Sequence, residues 1–174
     1  MTRCFVASFL PEDVGVELEK FAMRPLTGVR WLAPSKYHVT FQFFGEIDHT
    51  EIERQQHIVA AAAAEHFPID CVVRTVTGFP HHNAARVVVA LVESEGELER
   101  VAARFSAQTF TAHVTLGRCR GRVALPEYAT VDLAVRLPNA GLYRSETLPA
   151  GARYTMLDPK LDPDRGELSD ATAP

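Results

Sequence analysis

Cysteine is scarce in this chain: Cys4, Cys71 and Cys119 are the only three, an odd number with no Cys-x-x-Cys pair. A disulfide scaffold and a zinc knuckle both need paired thiols, so the three read as small buried or half-buried residues. Long apolar runs are missing as well. No stretch approaches the roughly 20 residues that cross a bilayer, and Met1-Thr2-Arg3 leads straight into a short β-like segment instead of a signal-peptide core. The expectation is a soluble, cytoplasmic monomer with no membrane partner. Excess positive charge is the third absence, since 18 Lys and Arg face 22 Asp and Glu, for a net charge of −4. General affinity for nucleic acid backbone depends on clustered cations that release counterions, so a nucleic acid substrate would be gripped at its end or as a small fragment.

What remains suits a globular enzyme. The 174 residues, 47% of them hydrophobic, are enough for one packed domain and exclude a fibre or a repeat array. The tripeptide His38-Val39-Thr40 recurs as His113-Val114-Thr115, 75 residues later, each copy opening a run of strand-like residues. Side chains alternate along a strand, so the His and Thr of each copy point to one side and the valine to the other. On neighbouring strands the two copies would bring two imidazoles and two hydroxyls to one point. In-line displacement at a phosphate needs that set: a base for the attacking oxygen, an acid for the leaving oxygen, and donors for the oxygens between them.

The segments upstream of the two histidines also match. Arg3-Cys4-Phe5-Val6-Ala7 precedes a helical pattern with Glu17-Leu18-Glu19, and Arg86-Val87-Val88-Val89-Ala90 precedes one with Glu97-Leu98-Glu99. The chain reads as a duplicated strand, helix, His-x-Thr strand unit, with 35 residues from Arg3 to His38 and 27 from Arg86 to His113.

The remaining pattern predicts strands over 3–9, 29–32, 37–44, 69–77, 85–92 and 110–119, and three more near 128–136, 140–146 and 152–157. Helices are expected after Glu12-Asp13, after an Asp48 or Thr50 cap through Ala60–Ala64, and after Ser94. On the first His-x-Thr strand, His38, Thr40, Gln42 and Phe44 are expected on one face and Val39, Phe41 and Phe43 on the other, with Gly45 ending the strand. Arg118, Arg120 and Arg122 share a face as long as the second strand lasts, and Gly121 is expected to cut it short. Arg118, five positions after His113, faces away from it in an unbroken strand, and a bulge or twist near Gly117 would bring it round. His81-His82 with His113 lacks carboxylates or thiols at ligand spacing, so a polar loop is expected there and no metal. His49, His57 and His66 fall on or beside the second helix and are expected to face solvent. Trp31, Tyr37 and Phe44 are candidates for stacking on a base.

These sum to an α+β protein, mostly antiparallel, with helices on the outer faces. Residues 1–157 form the expected domain and 158–174 a polar tail.

Taken in order, the chain resembles the 2H phosphoesterases, in particular the 2′-5′ RNA ligase-like RNA 2′,3′-cyclic phosphodiesterases. The resemblance is carried by Arg3-x-Phe5-Val6-Ala7-x-x-Leu10-Pro11, Arg30-Trp31 ahead of His38-Val39-Thr40-Phe41, Phe44-Gly45, and Phe79-Pro80 ahead of Arg86-Val87. It continues through Phe110-x-x-His113-Val114-Thr115-Leu116-x-Arg118 and Gly151-Ala152-Arg153-Tyr154. It implies a bilobal fold with pseudo-twofold lobes and a cleft lined by both His-x-Thr strands. It implies hydrolysis of a ribose 2′,3′-cyclic phosphate on RNA ends or small nucleotides to a 2′-phosphate, with no cofactor. His38 would protonate the leaving 3′ oxygen, His113 would activate water, and Thr40, Thr115 and Arg118 would hold the phosphate oxygens. Two departures stand out: Ala112 replaces the usual proline before the second His, and the Arg86–His113 segment is short. Alternatives are an AMP-like nucleotide-binding module without turnover, and 2′-5′ end-joining in the reverse direction.

Overall fold

The structure, a computed structural model, describes residues 1–22, 26–105, 109–126, 129–149 and 151–157. The polar tail expected over 158–174 lies outside them.

Among the described residues nine strands form one antiparallel sheet: β1 (Thr2–Phe9), β2 (Val29–Trp31), β3 (His38–Ile47), β4 (Ile69–Phe79), β5 (Ala85–Glu93), β6 (His113–Val123), β7 (Ala129–Leu137), β8 (Gly141–Leu148) and β9 (Gly151–Met156). Three helices accompany them, α1 (Glu12–Glu19), α2 (His49–His66) and α3 (Glu97–Ala103). Local chemistry explains each helix start. Glu12 and Asp13 place negative charge on the first turn of α1. Asp48 caps α2, its Oδ1 accepting from the Glu51 amide at 2.8 Å. Ser94 Oγ accepts from the Leu98 amide at 3.0 Å and holds the first turn of α3.

Strand order is β7-β4-β5-β6-β3-β1-β8-β9, with β2 also paired to β6. Four strands on each side of the β6/β3 junction run in matching antiparallel sequence, so the halves are related by an approximate twofold axis between β6 and β3. At that junction one residue pair, Val39 with Val114, joins the two strands. The two identical tripeptides therefore meet at their middle residues. Val39, Phe41, Val114 and Leu116 are buried on the helix-covered side with Leu18, Leu98, Val101 and Ala102, while the histidines and threonines are half-buried on the opposite side. The cost of truncating a leucine such as Leu116 in this layer is about 2–5 kcal/mol.

Several strands outrun their expected ends. β3 continues through Gly45, which takes φ +73 and pairs with Cys4. β6 continues through Gly121, φ +86, to Val123. At both places glycine bends the strand without ending it, because a left-handed residue that only glycine adopts cheaply can sit inside a ladder. β4 runs two residues past its expected end at 77, to Phe79, and a short 3-10 turn follows at His82–Ala84. No described helix is long and apolar enough to cross a membrane.

Candidate active site

The site starts from the Val39–Val114 rung. Both flanking imidazoles are fixed in the same way: His38 Nδ1–H donates to the Lys36 carbonyl at 2.7 Å, and His113 Nδ1–H donates to the Thr111 carbonyl at 2.7 Å. A carbonyl can only accept, so each ring carries its proton on Nδ1 when neutral and leaves Nε2 free for proton transfer. The carbonyl two residues upstream thus orients each histidine.

Their surroundings differ. The His38 ring lies among Phe9 (4.7 Å between ring centroids), Phe5 (5.4 Å) and Tyr154 (5.4 Å, edge-on). His113 meets Phe79 edge-on at 5.1 Å. Burial in the aromatic cage pulls the His38 pKa down from 6.5 to about 4; the Lys36 carbonyl opposes this, and the nearby charges of His113 and Arg118 add to it. Burial also pushes the neighbouring Tyr143 hydroxyl up to about 12.

A stability prediction follows from the sign of the His38 shift. Between pH 6.5 and about 4 the unfolded chain binds a proton that folded His38 refuses, so stability falls as pH falls through that window. The full effect is about 3 kcal/mol at ~1.4 kcal/mol per pKa unit. Urea unfolding at pH 7 and pH 4.5 should show a larger loss in the wild type than in His38→Gln. Equal losses would show that burial of His38 carries no proton linkage.

Register decides which other side chains reach the cleft. β5 and β6 pair Leu91 with His113, Val89 with Thr115 and Val87 with Arg118, while Val88 pairs with Gly117. Leu116 is left as the extra residue of a bulge. Since residues 87, 89 and 91 share a face, so do His113, Thr115 and Arg118. The bulge thus sits beside Gly117 and turns Arg118 toward the histidines, where its charge is felt by His38. Gly117 is required there: a Cβ would lie 2.8 Å from Val29 Cγ1 and 3.1 Å from Trp31 Cε3.

β3 repeats the pattern and overturns one expectation. β1 pairs Phe9 with His38, Ala7 with Thr40 and Phe5 with Phe43, skipping Phe41. Phe43 therefore shares the histidine face instead of the apolar one, and is 49% exposed with the Arg3 guanidinium 5.0 Å above its ring. It occupies the place in the first half that Arg118 holds in the second. Of the expected stacking residues, Tyr37 is fully buried, and Trp31 and Phe44 pack against the core. Phe43 is the aromatic that sequence alternation missed. The signal lay in comparing the copies, since both place it or Arg118 five residues after the histidine.

His82 and His66 lie away from this rung, each held by contacts of its own. His82 bonds Thr77 Oγ1 at 3.2 Å through Nδ1 and the Pro126 carbonyl through Nε2, tying the loop together. Among the described residues no three His, Cys, Asp or Glu side chains gather at metal-binding distance. His66 is largely covered, its side chain 13% exposed between Glu65 and Glu97, because α3 packs beside the end of α2. It does not face solvent as expected. Cys4 and Cys71 are buried and Cys119 is half-buried. Ala112, where proline was missed, is buried, and its carbonyl accepts from the Val92 amide at 3.0 Å, which anchors the entry to β6.

No family model matches the chain. A Thermus thermophilus protein named RNA 2′,3′-cyclic phosphodiesterase is 29% identical over 177 residues, covering 90% of this chain and 88% of the relative. One of the same name from Methanothermobacter thermautotrophicus is 26% identical, covering 75% and 80%. The crystal structure of Thermus thermophilus TT0787 superposes with a TM-score of 0.77 at 28% identity, over 90% of this chain and 95% of that one. These relatives and structural neighbours belong to the LigT-like 2H phosphoesterases, which the chain resembles over most of its length. Escherichia coli LigT complexed with 3′-AMP shares the fold of this chain at a TM-score of 0.72 and 19% identity, covering 90% and 95%.

Proposed function

We propose that this chain, acting as one unit over residues 1–157, hydrolyses 2′,3′-cyclic phosphates at RNA ends to 2′-phosphates, with His38 and His113 as an acid–base pair and without metal. The observation that carries the reading is the paired mounting of the histidines. Two Nε2 atoms, each freed by an identical Nδ1–carbonyl bond, flank one rung of sheet with two threonines and an arginine on the same face. Relatives named for this activity support it.

In the proposed reaction His113 Nε2 takes a proton as the water oxygen attacks phosphorus. The bond from phosphorus to the 3′ oxygen breaks, and His38 Nε2–H protonates that oxygen. Thr40, Thr115 and Arg118 stabilise the charge on the non-bridging oxygens. Burial favours the neutral form of His38 at pH 7. A bound anionic phosphate would give the protonated imidazole of His38 a charge partner, acting against the burial that disfavours that form. Phe43 offers a flat apolar surface for the terminal base.

The test is mass analysis of an oligonucleotide bearing a 2′,3′-cyclic phosphate end after incubation. The expected product gains one water and carries a 2′-phosphate. Recovery of unchanged oligonucleotide would favour a binding module, and a joined product would favour ligation. Activity should also survive EDTA and dialysis, because the chain's own groups supply acid, base and oxyanion donors. Loss on chelation, restored by zinc or manganese, would replace this mechanism with a metal-dependent one.

A further inference from the structure

The arginines of this acidic chain fall into two sets. Arg54, Arg74, Arg100, Arg104, Arg136 and Arg144 each have a carboxylate partner. The other described arginines, Arg30, Arg118 and Arg120 among them, are exposed and have no carboxylate within ion-pair distance among the described residues. The ladder places these three together. β2 lies against β6 beyond the point where β3 leaves it, with Arg30 paired to Arg118 and Val29 to Cys119, and the Arg120 amide donates to the Gly28 carbonyl at 2.7 Å. Paired residues share a face and alternate residues return to it, so Arg30, Arg118 and Arg120 line one side of the sheet, continuous with His113 and Thr115.

Three like charges held together without counter-ions on a protein of net charge −4 form a local anion track. It begins at the phosphate-facing Arg118 and leads away along β2 and β6. We infer that this track binds the phosphodiester backbone of single-stranded RNA on the 5′ side of the reacting end, making the preferred substrate an oligonucleotide and not a mononucleotide. The inference rests on the proposed cyclic phosphate chemistry for the position of the reacting end. It also reconciles the overall negative charge with an RNA substrate, since only a short stretch of backbone is held.

The experiment compares a pentanucleotide with a 2′,3′-cyclic phosphate end against a mononucleoside 2′,3′-cyclic phosphate from about 50 to 300 mM salt, in the wild type and the R30Q/R120Q double variant. Each phosphate contact on a single strand contributes roughly −0.7 to the slope of log affinity against log salt. The wild-type kcat/KM should therefore fall more steeply for the pentanucleotide. The double variant should remove about 1.4 of that slope, and at least tenfold of pentanucleotide kcat/KM at low salt, while the mononucleotide rate stays unchanged and reports an intact fold. Equal salt slopes for both substrates in the wild type would overturn the track, as would equal loss on both in the variant. Anisotropy of a labelled pentanucleotide ending in a plain 3′-phosphate reads the track independently of turnover. At least tenfold weaker binding by the variant is expected, and unchanged binding overturns the inference. Failure of the wild type to hydrolyse either cyclic phosphate would instead strike the proposed reaction.

Discussion

His38→Ala and His113→Ala are each expected to lower kcat/KM for a 2′,3′-cyclic phosphate end by ~10²–10⁴-fold, the range that positioned acid and base groups contribute. Each histidine is held through Nδ1 by its own upstream carbonyl, so losing one leaves the other in place. Because the two act in one displacement, removing both should cost little more than removing the more important one. A double variant slower by the product of the single effects would mean that they act in separate steps. Near-normal activity in either single variant would remove the acid–base pair altogether. His38 packs among Phe5, Phe9 and Tyr154, so His38→Gln, which fills the space without titrating, should accompany the alanine variant. Matching losses in both would separate chemistry from packing.

Thr40→Val and Thr115→Val should each lose on the order of 10–10³-fold in kcat/KM, the effect of one hydroxyl donor withdrawn from a developing anionic charge. Valine keeps the branched shape and strand preference of threonine, so the ladders of β3 and β6 should persist. Thr40 lies opposite Ala7 and Thr115 opposite Val89, and neither partner has a side chain that could replace the lost donor. Steady-state rates on a cyclic phosphate end, with unfolding midpoints as a control for the fold, read the result. Unchanged kinetics in both variants would reduce the threonines to ordinary strand residues.

The duplicated tripeptide was readable because alternation along a strand is local: it puts His and Thr on one side whatever the strand pairs with. The bulges at Phe41 and Leu116 are not local. They appear only when β1 and β5 set the register, so alternation assigned Phe43 to the wrong face and left Arg118 dependent on a bulge. Gly117 was the one local sign of irregularity, since glycine inside a strand often marks a bulge or a close approach. β2 as a neighbour of β6 was equally invisible, because three residues carry no pattern that names a partner strand. The Asp48 cap and the Ser94 bond ahead of α3 were legible for the opposite reason: each side chain bonds an amide in the first turn of the helix that follows it.

A twofold frame by itself cannot tell one end of a ligand from the other. Rotated by half a turn about the Val39–Val114 rung, the two histidines and the two threonines exchange places, and the chemistry would run equally well with attacking and leaving oxygens swapped. An RNA end, the proposed substrate, has a direction, so the proposed turnover requires that degeneracy to be lifted. It is lifted where the duplicated halves have stopped matching: an aromatic cage around one histidine and a single ring beside the other, Phe43 on one strand and Arg118 on its counterpart. In the proposed reaction the residues the halves still share would set what can occur, and those in which they have diverged would set which way round the strand enters.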